Sequence, residues 1–504
     1  MQKKQTILVV ASLLVVVLSV TLAYFTAQII GKGKSVTINS ADLKIIFTDS
    51  DGSISGSNIE PGKWNVIKTF TIENKSNETY KYNIVIQDLV NTFVTNGYLQ
   101  YKITSTNGGY NMTEFKDVPK SETAKDTILA YSVSIPVGVT QSYTVEFKYS
   151  NDESVDQSDD MGKTLSGKLF ITEGTEAPTL LSQLLADKST VLTRTDFGTV
   201  LTTDNTKTLY TGTEEETTVY YFAGNALDNW VKFGKNANNE DLYWRIIRTN
   251  SDGSIRLLYH GTSTTATDAY IGISAFNTTY YDSMYVGYMY GTSGSLENNR
   301  ANTNNSTIKT TIDNWYKDNL NTNYGKYLST TAVYCNDRSV TDGTYSTSSS
   351  FVYGAYTRLY TNKTPSYDCT TTEDKFTVDS STGNGKLDYP IALMTADEVS
   401  FAGGVYASLA KTWYYKNSAN GSSTGENWWW LMSPVMWVSN KEGGSGLFYV
   451  CGLSYPGEGV LGSDGGGLNL GVRPALSLKS CIKYSTGNGA PETPYEIVET
   501  ETGC

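Results

Sequence analysis

The chain offers few groups for covalent chemistry. Its one histidine, His260, follows an apolar run and precedes Gly261. It belongs to no HExxH helix that would hold zinc, and following an apolar run it reads as a structural residue at a strand end. The five cysteines, Cys335, Cys369, Cys451, Cys481 and Cys504, lack the CxxC spacing of a zinc or redox site. In an oxidising compartment Cys335 and Cys369 can pair and close a surface insertion, while an odd total leaves at least one thiol unpaired or joined to another chain. Asp464 and nearby carboxylates fall short of the roughly six to eight oxygens a calcium site takes. This reading predicts no catalytic residue, no metal and no cofactor.

The remaining chemistry is recognition without bond-making. Residues 438–470 are dense in Gly, Ser, Tyr, Leu, Val, Asn and Asp. Tyr supplies rigid contact area and Gly, Ser and Asn adapt, which is the composition of antibody-like paratopes; an ordinary Gly-rich hairpin loop has much the same composition. The expected ligand-binding residues are Trp437, Ser439, Leu447, Tyr449, Cys451, Gly452, Tyr455, Gly462, Ser463, Asp464, Gly465, Gly466 and Asn469.

The elements that must position this segment follow from periodicity. Between Val219 and Leu478, Tyr243-Trp244-Arg245-Ile246-Ile247-Arg248 and Ile255-Arg256-Leu257-Leu258-Tyr259 alternate around a turn at Asp252-Gly253 and predict paired strands. Ile308, Ile312, Trp315, Tyr316 and Leu320 recur at helical spacing, and Thr395 with Glu398 predicts a capping box opening a second helix. Mixed short strands and two helices predict an α+β domain over 219–498, with core packing as the default role for its many tryptophans and Arg473 as an ion-pair partner.

The first part of the chain reads differently. Eight short alternating runs (Val36–Ile38, Leu43–Phe47, Trp64–Ile72, Tyr80–Ile86, Leu99–Ile103, Ile128–Ile135, Ser142–Tyr149 and Leu165–Ile171) predict an all-β sandwich over 35–172. A polar hinge, a short helical stretch Leu180–Asp187 and a Thr-rich run predict a linker over 173–218. Ahead of the sandwich, Lys3 and Lys4 precede an apolar run from Ile7 to Ile30, which predicts a signal peptide or an uncleaved membrane anchor over 1–30. Either places the rest outside the cytoplasm, extracellular or on the cell surface, with signal peptidase as a partner during export and membrane contact only through that segment. A net charge of -12 argues against a nucleic-acid partner.

Two resemblances refine these expectations. The export segment ending Thr21-Leu22-Ala23-Tyr24-Phe25-Thr26 and running into a strand-rich domain resembles camelysin and TasA-like surface and biofilm-matrix proteins of Gram-positive bacteria. That likeness implies a jelly-roll-like sandwich able to accept strands from a neighbour. Metallopeptidase activity, with which camelysins are classed, is excluded by the missing HExxH. The second likeness rests on the YWRIIR block, the helix around Trp315, the segment Leu393–Val399, Trp429-Trp430-Leu431-Met432-Ser433-Pro434 and Gly471-Val472-Arg473-Pro474-Ala475-Leu476. Together they resemble a bacterial domain family of unknown function related to the C-type-lectin and sulfatase-modifying-factor folds. In relatives targeted by diversity-generating retroelements the counterpart of 438–470 is variable, and its codons exclude Lys, Glu, Gln, Met and Trp. Between Gly443 and Leu470 only Glu458 belongs to that set. The expected function is display of a domain that binds an unknown protein or glycan ligand; the alternatives are a fibre-forming matrix protein and, last, a sulfatase-modifying-type enzyme using Cys451.

Overall fold

The computed structural model describes residues 35–37, 43–47, 53–54, 59–266, 269–410, 429–439, 447–454 and 459–504. The expected signal peptide or anchor at 1–30 and the candidate Tyr455 lie outside these residues. Among the described residues no helix is long and apolar enough to cross a membrane. The chain is β-rich and divides into two units between Ala177 and Pro178.

In the first unit, strands β1 (Ser35–Thr37), β2 (Leu43–Phe47), β3 (Trp64–Asn74), β4 (Tyr80–Asn91), β5 (Leu99–Ser105), β6 (Lys116–Asp117), β7 (Ser121–Ile135), β8 (Thr140–Tyr149) and β9 (Leu165–Glu173) form two sheets. Their orders are β1-β2-β3-β8-β5-β6 and β7-β4-β9. β8 shows the cause plainly. Gln141, Tyr143, Val145, Phe147 and Tyr149 are buried while Thr140, Ser142 and Thr144 are exposed, the period-two pattern of a half-buried strand. Phe70 and Ile72 of β3, Ile84 and Ile86 of β4 and Leu169 and Ile171 of β9 join them in one core shared by both sheets. β7 begins seven residues earlier than its apolar pattern predicts, at Ser121, because its polar first half pairs with β4 out to Asn91.

The second unit opens with helix α1 (Leu180–Asp187), whose Thr179 cap accepts from Ser182 N at 3.1 Å. Strands β10 (Thr190–Thr193), β11 (Thr208–Glu214), β12 (Thr217–Tyr221), β13 (Trp230–Lys235), β14 (Asp241–Thr249) and β15 (Ile255–Gly261) follow. The stretch expected to be a linker therefore supplies strands: β10 pairs parallel to β11, and β11 antiparallel to β12. After β16 (Ile273–Ala275) come helix α2 (Thr307–Asn319), β17 (Val340–Asp342), β18 (Phe351–Tyr353), β19 (Ile391–Leu393), helix α3 (Ala396–Phe401) and β20 (Leu409–Ala410). The last strands used here are β21 (Trp429–Val438), β22 (Leu447–Ser454), β23 (Gly459–Gly465), β24 (Asn469–Gly471) and β25 (Pro474–Leu478).

One sheet of this unit runs β10-β11-β12-β14-β15-β25-β19, with β13 on β14; the other runs β16-β24-β21-β22-β23-β20, with β18 on β21. The Trp-rich strand and the strand after Val472-Arg473 therefore lie in different sheets. β21 meets the C-terminal strands only where Trp429 faces Gly471, because β25 is held between β15 and β19. Trp244, Ile312, Tyr316, Trp429, Trp430, Trp437 and Leu476 share one core.

Candidate functional site

A buried ionic framework holds the second unit. Arg248 on β14 and Arg256 on β15 both donate to Glu398 Oε1 of α3 at 2.9 Å, through Nε and Nη1 respectively. Glu398 Oε2 meanwhile accepts Thr395 N at 2.9 Å, and Thr395 Oγ1 accepts Glu398 N at 3.1 Å, completing the capping box the sequence predicts. Arg248 Nη2 also donates to Glu214 of β11 at 2.8 Å. Burial alone drives the carboxyl of Glu398 up, but Arg256 and Arg248 outweigh it and hold it below its ordinary range. Two strands are thus pinned to one carboxylate of α3, and β11 joins them through Arg248.

Beside this framework, Arg358 grips Asp397 through Nε at 3.0 Å and Nη2 at 2.8 Å and also pairs with Asp337. These side chains, with Ser366, Tyr367, Thr395, Ser433 and Cys335, line a polar cleft of about 380 Å³, its open mouth included. Each of the three guanidiniums there is already matched to a carboxylate, so the cleft presents no uncommitted cation to an anionic ligand. Cys335 and Cys369 are disulfide-bonded beside it, and Cys481 is bonded to Cys504. Among the described residues no group of His, Cys, Asp and Glu is arranged to hold a metal ion.

His260, at the end of β15, is fully buried with its ring 4.3 Å from that of Trp230. Burial, then the charges of Arg245 and Arg473, lower its pKa well below the usual value, so it is neutral at physiological pH. Arg473 is also fully buried. It donates to Tyr259 O through Nε at 3.2 Å and Nη2 at 3.0 Å, and its guanidinium lies 4.8 Å from the Trp429 ring centroid.

The segment expected to recognise a ligand is largely strand rather than loop. β22 pairs with β21 on one side and β23 on the other, with Tyr449 opposite Met436 and Gly465, Cys451 opposite Ser463, Gly452 opposite Gly462 and Val450 opposite Asp464. Leu447, opposite Val438, starts this ladder. Trp437 is a correction: it is fully buried in the core, where the apolar ring is withdrawn from water, and presents no contact surface. Gly465 and Gly466 are buried as well, Ser439 is half-buried with its N–H on Ser350 Oγ at 3.0 Å, and Asn469 is exposed on β24.

The structure adds a neighbour that the sequence reading missed. The turn between β23 and β24 packs against the segment that follows β16: Asn277 N donates to Gly466 O at 3.0 Å, and the Tyr280 ring lies over Gly467 so closely that a Cβ there would sit 2.4 Å from it. Some 190 residues separate the two in the chain, so periodicity carries no signal of the contact; the density of tyrosine between Tyr280 and Tyr290 was the available clue. Comparison with family models, curated proteins and solved structures finds no match to this chain.

Proposed function

We propose that this is an exported surface protein whose second unit is a non-enzymatic ligand-binding module, carried by a first unit of jelly-roll-like character. The observation that carries the reading is the pair of disulfides, Cys335–Cys369 and Cys481–Cys504, within the unit that bears the Gly-, Ser- and Tyr-rich strands. Disulfides persist in oxidising compartments, which agrees with the apolar, Lys-headed N-terminus. A scaffold of paired strands carrying a Gly- and Ser-rich segment and its turn is an arrangement binding proteins use. In this reading the second unit is C-type-lectin-like, and the face formed by β22, β23 and the turn to Asn469 meets a protein or glycan.

Replacing 462–469 in the full chain by a Gly/Ser sequence of equal length tests the site. Binding to intact cells or extracellular matrix should be lost while the thermal transition persists; retained binding would move the site elsewhere. A nearby reverse transcriptase gene with a near-copy of the codons for 428–474, differing mainly at adenines, would identify the segment as diversified.

The second reading, a fibre-forming matrix protein, draws on β7 and β9, the edges of the first unit's smaller sheet. Glu122, Lys125 and Asp126 line the exposed half of β7 and oppose strand addition there. A monomeric scattering profile across concentration would remove this reading.

A further inference from the structure

Tyr280, Tyr281, Tyr285 and Tyr290 gather at the surface beside the turn just described. Tyr281 is 57% exposed and Tyr280 40%, while Tyr285 and Tyr290 are half-buried. The rings of Tyr281 and Tyr285 are 5.5 Å apart and those of Tyr285 and Tyr290 5.2 Å, each pair edge to face. Tyr281 hydrogen-bonds Tyr285, which pushes the Tyr285 phenol up to about 12.

The row is held from behind. Asp282 accepts Met284 N at 2.8 Å and Ser293 Oγ at 2.7 Å, and buried Asn299 donates to Met284 O at 2.5 Å and Val286 O at 3.1 Å. Asn277 donates to Tyr285 O at 3.3 Å. Fixed aromatic rings lose little entropy on binding, which favours a recognition role.

The chemistry around the row selects the ligand class. The nearest charged side chains in sequence are acidic, Asp282 and Glu297, and the next cation, Arg300, is committed to Asp374 at 2.8 Å. Phosphates and anionic polymers are therefore disfavoured. A stable protein partner needs about 800 Å² and 20–30 residues a side, more than a single file of rings supplies. A neutral sugar chain needs exposed aromatic rings for its C–H surfaces and hydroxyl or carboxylate groups alongside for its own hydroxyls. Tyr hydroxyls, Asp282 and the exposed Asn304, paired with Tyr290 across a short ladder, supply these.

We propose that Tyr280, Tyr281, Tyr285 and Tyr290 form an angled aromatic platform for a neutral oligosaccharide, with the exposed rings of Tyr280 and Tyr281 meeting the sugar. This rests on the ligand-binding reading and names the ligand class of that face.

The test is calorimetric titration of the full exported chain with cellopentaose, N-acetylchitopentaose and mannopentaose. At least one should bind, Tyr281→Ala should weaken that binding about tenfold, and Tyr281→Phe should lose much less, because the ring is kept. Tyr280 and Tyr281 are both exposed, so an unchanged thermal transition verifies folding of variants at either position. Binding unaffected by Tyr281→Ala and Tyr280→Ala together would overturn the platform, as would no binding of any of the three sugars at millimolar concentration. If the sugars fail while binding to cells is still lost on replacing 462–469, the ligand-binding reading stands and only the sugar assignment falls. If both fail, the reading beneath it falls too.

Discussion

Replacing Glu398 by Gln tests the ionic framework without changing its shape. The wild-type carboxylate accepts from Arg248, Arg256 and Thr395 N while fully buried. The amide keeps one acceptor but turns the other oxygen into a donor, which then faces either Thr395 N–H or the guanidiniums. Both ion pairs of Glu398 are lost, but Arg248 keeps Glu214 at 2.8 Å, so the unmatched charge is that of Arg256. Arg256 is left with Val333 O and the Tyr334 ring at 4.3 Å. Breaking a buried pair from one side costs about 3 kcal/mol or more, and losing the capping box adds about 1 kcal/mol. The total of about 4 kcal/mol corresponds to a drop of roughly 8 °C or more in Tm for a large domain. Tryptophan fluorescence of the full chain is the assay, since eight of nine tryptophans, all but Trp64, lie in the second unit.

The same substitution should change the acid response. The folded carboxyl of Glu398 is held below its ordinary 4.5. Its stabilisation is therefore complete above the unfolded value and is lost as pH falls through the folded one. The Gln variant should show a shallower loss of stability below pH 4.5. A Tm shift under about 2 °C, or an unchanged acid slope, would refute the framework as described.

Further outcomes follow from the same geometry. Replacing Cys335 and Cys369 together by Ser opens a loop spanning 34 residues and should cost about 4 kcal/mol in urea unfolding; an unchanged midpoint would argue that the bond does not form in the purified protein. Trp437→Ala should cost about 3–5 kcal/mol, and an unaltered transition would place the ring at the surface after all. His260, the chain's only histidine, should show no imidazole titration between pH 5 and 8 by NMR. Because its folded pKa is depressed, its contribution to stability is present above 6.5 and declines as pH falls below that value; a midpoint near 6.5 in the folded protein would contradict its burial. Gly467→Ala places a Cβ against Tyr280 and should shift the tyrosine near-ultraviolet circular dichroism with little change in Tm, whereas an unchanged spectrum would count against that close contact.

What was legible in the sequence was whatever a local pattern encodes. β3, β5 and β8 bury alternate residues, so period two finds them. α2 is readable because Ile308, Ile312 and Tyr316 fall on one face behind the Ser306 cap, and α3 because Thr395 and Glu398 carry the capping signal. β10 is the contrary case. All four residues, Thr190 to Thr193, are exposed, so no apolar face announces a strand; it exists because β11 offers a backbone edge. β23 carries a weak local signal because its Gly and Ser residues have low strand propensity, which its pairing with β22 overrides, whereas β22 has Phe448, Tyr449 and Val450 to favour a strand.

The sequence by itself determined an acidic chain with an apolar N-terminus, a single histidine, strands where apolar residues alternate and helices where they recur at three or four. Only the tertiary structure decided that Glu398 lies between Arg248 and Arg256, 150 and 142 residues away, that Trp437 is core, and that Tyr280 rests on Gly467. The physical reason is range. Propensity, capping and alternation act over a turn or a strand, whereas ion pairing, burial and ring stacking join residues whose proximity is created by the order in which strands enter the sheets.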